Sequence, residues 1–239
     1  MSQLQAYIET CLKNEYTFEG VISKNAVNEL QLYTHQKSGQ KIILIKSVYR
    51  NDDVFRILKN MSPTRILPAI YEVASEEDYF LVLEQYIEGE PLDVKMQNEL
   101  SLSQIKQILI DLCEALEILH ANKIVHRDLK PENIIITDTA AVLIDFGIAK
   151  IINSHEEKDT VNLGTIGYAA PEQFGFSQSM PTTDIYALGV LANELILGVH
   201  PTIKVPKGKI GKIINKCTST QISARYQTAA QLKKALKRI

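Results

Sequence analysis

Eleven residues constrain this chain more than all the others. They are the octapeptide His126-Arg127-Asp128-Leu129-Lys130-Pro131-Glu132-Asn133 and the tripeptide Asp145-Phe146-Gly147. An Asp, a Lys two residues on, an Asn five on and a second Asp before Phe-Gly act together only if the fold gathers their side chains. Such a set suits phosphoryl transfer, which needs an oriented acceptor hydroxyl, held metal ions and neutralised charge on the moving group. Asp128 can orient or deprotonate a hydroxyl, and Lys130 can meet the transferred phosphate. Asn133 and Asp145 offer hard oxygen ligands, which suit magnesium. Gly147 lets the chain turn sharply beside them.

A third signature follows in order, Gly164-Thr165-Ile166-Gly167-Tyr168-Ala169-Ala170-Pro171-Glu172. Short tripeptides of the His-Arg-Asp kind arise by chance, and Asp/Asn pairs often only build turns. Three signatures in sequence are a different matter. Together they resemble the catalytic core of eukaryotic-like protein kinases, and Lys130 is similar to the serine/threonine branch of that family. The small size and compact connections match a bacterial-type member.

The resemblance implies an α+β, bilobal fold in one domain, 1–239. A small β-rich N-lobe would run to about residue 87, and a helical C-lobe over about 88–239. It implies ATP and Mg2+ as cofactors and a protein as substrate. Asp128, Lys130 and Thr165 would be catalytic, and Asn133 and Asp145 the metal ligands. Asp184 would accept hydrogen bonds from the catalytic-loop backbone, and Arg225 would ion-pair with Glu172. Arg127 would hold a phosphate on the activation segment. Thr160 is the best-placed acceptor there, although Glu156, Glu157 and Asp159 could supply permanent negative charge instead.

Upstream, residues 4–12 carry one apolar helical face, and strands are expected at 16–22, 29–35 and 41–48. Lys46 ends the apolar run Ile42-Ile43-Leu44-Ile45 and resembles the family's phosphate-binding strand lysine. Residues 79–83 read as a strand leading into Glu84-Gln85-Tyr86, which is similar to the hinge that meets adenine. Either Leu83 or Glu84 stands at the gatekeeper position, with Glu84 favoured, so Glu84 and Tyr86 are counted as nucleotide-binding.

Two departures from the family pattern are plain. The glycine-rich phosphate loop is absent, its places taken by Ser23, Asn25 and Asn28. Asn tolerates left-handed backbone, and Ser and Asn can donate hydrogen bonds, so a poorer phosphate cover is expected there. The glutamate that should partner the lysine is also missing: Val54 stands in its place, with Asp53 one residue out of phase, about 100° round a helix. Asp53 could reach Lys46 only if that helix is rotated or begins late.

Ser101-x-x-Gln104 is a capping box opening a long helix. Its stripe of Leu102, Ile105, Ile108, Leu109, Leu112, Cys113, Leu116 and Leu119 reads as core. Between Gly198 and Arg225 the family has about twice as many residues, so the C-terminal region is shortened. That region is also basic. Residues 204–239 hold ten Lys or Arg and no acid, and a chain net charge of −2 therefore leaves −12 on the rest. Lysines on a solvated helix surface are the plain explanation. A polyanion surface for DNA, RNA or an anionic membrane is the sharper one.

Three scattered cysteines form neither a disulfide framework nor a zinc pattern, which points to a reducing, cytoplasmic setting. The first residues lack the basic and apolar regions of a signal peptide. The apolar stretch 185–199 is broken by Asn193 and Glu194, so no membrane span is expected. The rival to a serine/threonine kinase is a pseudokinase, a signalling or binding module with weak or no turnover. A small-molecule kinase would usually lack the segment ending in Ala-Pro-Glu.

Overall fold

A computed structural model describes residues 3–49, 51–98, 100–152, 164–174 and 178–239. Two units are distinguished, Met1–Thr64 with Pro68–Ile87, and Arg65–Leu67 with Glu88–Ile239. The first is a five-stranded antiparallel sheet and the second is mainly helical, an α+β architecture.

The first unit opens with α1 (Gln3–Glu15), which buries Ile8 and Leu12, four residues apart. It continues into β1 (Tyr16–Lys24), β2 (Asn28–His35) and β3 (Lys41–Ser47). Then come α2 (Asp52–Lys59), β4 (Ile70–Ser75) and β5 (Phe80–Gln85). The sheet order is β1-β2-β3-β5-β4. The β1–β2 turn is closed by Asn25, whose side-chain oxygen accepts from the backbone amides of Val27 and Asn28, each at 2.8 Å. This is the local bonding that suits Asn to turns.

Register decides what the sheet offers on each side, because successive strand side chains face opposite ways. In β3, Ile42, Leu44 and Lys46 pair across with Gln85, Leu83 and Leu81 of β5. That face packs on α1, where Ile8, Leu12, Ile42, Leu44, Ala74 and Leu81 form one apolar cluster. Ile43, Ile45 and Ser47, opposite Glu84, Val82 and Phe80, occupy the other face. There Phe55 of α2 meets Phe80 with ring centroids 5.7 Å apart.

The second unit is threaded around α4 (Leu102–Ala121). Before it come β6 (Glu90–Pro91) and α3 (Leu92–Lys95), and after it β7 (Ile124–Val125), a 3-10 turn Pro131–Asn133, β8 (Ile134–Ile136), β9 (Ala141–Leu143) and β10 (Lys150–Ile151). Then follow α5 (Pro171–Phe174), α6 (Pro181–Leu197), α7 (Gly208–Cys217), a second 3-10 turn Ile222–Ala224 and α8 (Ala229–Leu236). The expected capping box is formed at Ser101 and Gln104.

The segment Arg65–Leu67 belongs to this unit. Arg65 donates to the buried Asp111 at 2.9 Å, and Ile66 accepts from the Leu143 amide at 3.0 Å. The shortened C-terminal region is closed economically: the buried Asn193 of α6 donates to the carbonyls of Val199 and Lys204, at 2.7 and 2.9 Å. Gly198, at φ 66°, ends α6 in the left-handed conformation that glycine tolerates.

Candidate active site

The second unit brings four of the expected side chains together. Thr165 donates its hydroxyl to Asp128 Oδ1 at 2.6 Å, and Lys130 Nζ donates to Thr165 Oγ1 at 3.0 Å. Lys130 Nζ also lies 2.9 Å from Asp128 Oδ2. Asn133 Nδ2 donates both to the Asp128 carbonyl at 2.8 Å and to Asp128 Oδ2 at 2.9 Å. Burial alone would raise the Asp128 carboxyl. Hydrogen bonds from Thr165 and Lys130, the Lys130 charge and the Asn133 amide outweigh it and hold the group below the usual carboxylate range. Asp128 is therefore ionised at neutral pH.

This loop is held from behind by Asp184, wholly buried on α6. It accepts from the backbone amides of His126 and Arg127 at 3.0 and 2.9 Å, and from His120 at 2.8 Å. Burial opposes ionisation of Asp184 too, yet the His120 hydrogen bond and charge, with the backbone amides, lower its pKa. Arg127 is at φ 71°, uncommon for a residue with a side chain. The anchoring of both flanking amides offsets that strain. Gln173 adds a further tie, donating to the Arg127 carbonyl at 3.0 Å.

Asp145 is also left-handed, at φ 63°, and its carboxylate is exposed. One of its oxygens accepts from the Gly147 amide at 3.0 Å. Phe146 is buried edge-on against His126, with centroids 5.4 Å apart, and Ile144 N–H donates to the Asn133 carbonyl at 2.9 Å. The segments carrying Asn133 and Asp145 are thus directly bonded to each other. Since the Asn133 amide nitrogen is committed to Asp128, its carbonyl oxygen is the atom left to offer a cation. With the Asp145 carboxylate it makes a sparse, all-oxygen donor pair. That fits Mg2+, which keeps several waters and takes few protein ligands.

Glu172 and Arg225 form the expected pair, bidentate at 2.6 and 2.9 Å and almost fully buried. Arg225 Nη1 also donates to the Thr182 carbonyl at 3.0 Å, and Thr183 Oγ1 donates to Glu172 at 3.0 Å. Thr160 lies outside the described residues.

Lys46 and Asp53, which could meet only if α2 were rotated or began late, do not pair. Lys46 is on the α1 face, its Nζ 4.1 Å from the Tyr79 ring centroid. Asp53 is exposed on α2, which packs on the opposite face. The β3 register separates them. Of the three polar replacements for glycine, Ser23 is paired with Leu30 in the β1–β2 ladder, Asn25 closes the turn, and Asn28 begins β2. Glu84 is buried on the α2 face of β5, whereas Leu83 joins the α1-side cluster. Tyr86 lies just past β5, with Lys41 Nζ 5.5 Å from its ring centroid.

Sequence reasoning missed His120, Gln173 and Thr183. His120 had a usable signal, a polar residue next to the last apolar position of the α4 stripe. Gln173 and Thr183 had none for their bonds to the Arg127 carbonyl, 46 residues away, and to Glu172, 11 residues away.

The sequence matches the family described as "Protein kinase domain" over residues 11–239. It is 33% identical over 212 residues to "Serine/threonine-protein kinase PknA" of Mycobacterium tuberculosis (strain ATCC 25618 / H37Rv), covering 80% of this chain and 48% of that protein. It is 34% identical over 158 residues to the protein of the same name from Nostoc sp. (strain PCC 7120), covering 62% and 28%. It is 30% identical over 210 residues to "Aurora kinase" of Candida glabrata, covering 82% and 58%. The chain thus spans less than two thirds of the length of each of these relatives.

Proposed function

The chain belongs to the protein kinase domain family, and from that premise we propose that it transfers the γ-phosphoryl group of ATP to a serine or threonine hydroxyl of a protein. Kinases of this family use ATP and Mg2+ in general. The observation that carries the proposal is the bonded set of Asp128, Lys130, Thr165 and Asn133.

In the proposed reaction the acceptor hydroxyl hydrogen-bonds to the Asp128 carboxylate, as the Thr165 hydroxyl now does. The oxygen–phosphorus bond to the acceptor forms as the bond from γ-phosphorus to the β-phosphate oxygen breaks. The hydroxyl proton passes to Asp128. A carboxylate held below its usual pKa is a weak base, so Asp128 mainly aligns the hydroxyl and accepts the proton late. A loose transition state asks for little more. Lys130 meets the charge on the moving phosphoryl group. Asn133 and Asp145 would hold Mg2+, which neutralises the nucleotide phosphates when bound. Thr165 fixes Asp128 and Lys130 relative to each other.

Arg127 and Thr160 belong to the same proposal as a regulatory pair, to be checked by mass spectrometry after incubation with MgATP. Unmodified Thr160 throughout would remove it. A cytoplasmic setting is likewise proposed, supported by three free cysteines; among the described residues no helix is long and apolar enough to cross a membrane. The basic region 204–239 is proposed as a polyanion surface, since Lys204, Lys207, Lys209, Lys212 and Lys216 are all exposed. Heparin that altered neither retention nor activity at low salt would eliminate that surface.

A second reading, a binding module without turnover, draws on the first unit, where Lys46 is turned away from α2 and the phosphate-loop glycines are lacking. The intact set around Asp128 weighs against it. Acid hydrolysis of a labelled acceptor protein tests the choice of hydroxyl. Phosphoserine or phosphothreonine is the expected product, and phosphotyrosine alone would contradict the proposal.

A further inference from the structure

The register that turns Lys46 away from α2 places it in a cavity. Between α1 and the sheet is a space of about 480 Å³, within the usual range for small-molecule sites. Every residue lining it belongs to the first unit. Leu12, Leu44 and Leu81 give it an apolar floor, and Tyr16, Tyr33 and Tyr79 line it with aromatic rings.

The charges are unevenly committed. The cavity holds two lysines, Lys13 and Lys46, and neither is ion-paired among the described residues. Its one lining carboxylate, Glu9, accepts from Gln5 Nε2 at 2.7 Å. Glu29, opposite Lys46 on β2, is salt-bridged to Lys24 at 2.5 Å and accepts from Gln31 Nε2, also at 2.5 Å. Both acids thus have partners, and the Lys46 charge also acts on Glu29, while neither lysine of the cavity is closed into a salt bridge among the described residues. Lys46 is held above the Tyr79 ring at 4.1 Å, a cation–π contact that fixes the ammonium without neutralising it. An apolar, tyrosine-lined space with two lysines outside any salt bridge suits a flat ring bearing an acid.

We propose that this cavity is a binding site for a small planar anion, such as an aromatic carboxylate, sulfonate or phosphate monoester, with Lys46 and Lys13 as its cations. The ligand's ring lies against the tyrosines and its acid between the two ammonium groups. This site stands whether or not the chain turns over ATP.

The probe is 1-anilinonaphthalene-8-sulfonate, titrated by fluorescence into the full chain and its Lys46→Gln, Lys13→Gln and double variants. Both lysines are exposed, so the variants should fold, and thermal unfolding checks that they do. Saturable binding is expected, weakened about tenfold by each single change. Absence of saturable binding, or equal affinity in the double variant, would overturn the site.

Discussion

Asp128 shows how several weak effects fix one protonation state. Its burial favours the neutral acid, yet three hydrogen-bond donors and the Lys130 charge prevail. Asp184 follows the same pattern deeper in the unit. For both groups the folded pKa lies below the unfolded value of about 3.9, so their ionisation stabilises the fold above that pH. As pH falls below about 4 the unfolded chain takes up protons first, and this stabilisation is lost as pH continues down through the folded pKa values. Thermal unfolding between pH 3 and pH 7 should therefore show no loss from these groups until below about pH 4. A transition near pH 5–6 that disappears in Asp184→Asn would contradict the assignment. The Glu172–Arg225 pair has a different logic. Replacing Arg225 by Ala leaves a buried carboxylate without its bidentate partner, which costs about 3–5 kcal/mol. Chemical denaturation should find that loss; a cost under about 1 kcal/mol would mean that Glu172 is solvated in solution.

Among the elements, α6 and α7 are spaced by a single glycine. A Cβ at Gly189 would fall 2.4 Å from the Cys217 Cβ and 3.0 Å from the Thr218 Cγ2. Gly189→Ala must push the two helices apart, and about 1–3 kcal/mol of stability should be lost. An unchanged midpoint of denaturation would show that the contact yields freely. The same two helices make Cys217 inert: burial pushes its thiol up to about 12. How far such elements can be read in advance depends on their pattern. The α4 helix was legible from its stripe and its Ser101–Gln104 cap, and the strands were legible to within a few residues. The faces of β3 were not. In the run Ile42-Ile43-Leu44-Ile45 every position is apolar, so no alternation marks which side faces α1, and a shift of one residue exchanges the faces. Lys46 inherited that ambiguity.

At the scale of the whole molecule, the two units differ in how much of their chemistry the sequence displayed. In the second, side chains from α6, the 165–173 segment and the catalytic loop converge on Asp128. Asp184, Glu172 and Arg225 were legible as supports; His120, Gln173 and Thr183, bonded to partners 64, 46 and 11 residues away, were missed. In the first, the sequence showed what is missing, the glycines and the glutamate. What replaces them depended on register and on the packing of α1. The central claim is that a chain with this first unit still performs phosphoryl transfer through Asp128. Its most direct test is magnesium-dependent transfer of labelled γ-phosphate to a generic protein acceptor, comparing the unaltered chain with Asp128→Asn. The unaltered chain should transfer phosphate, with transfer abolished by omitting magnesium and reduced at least about 100-fold by the substitution. No transfer by the unaltered chain, or transfer undiminished in Asp128→Asn, would contradict it.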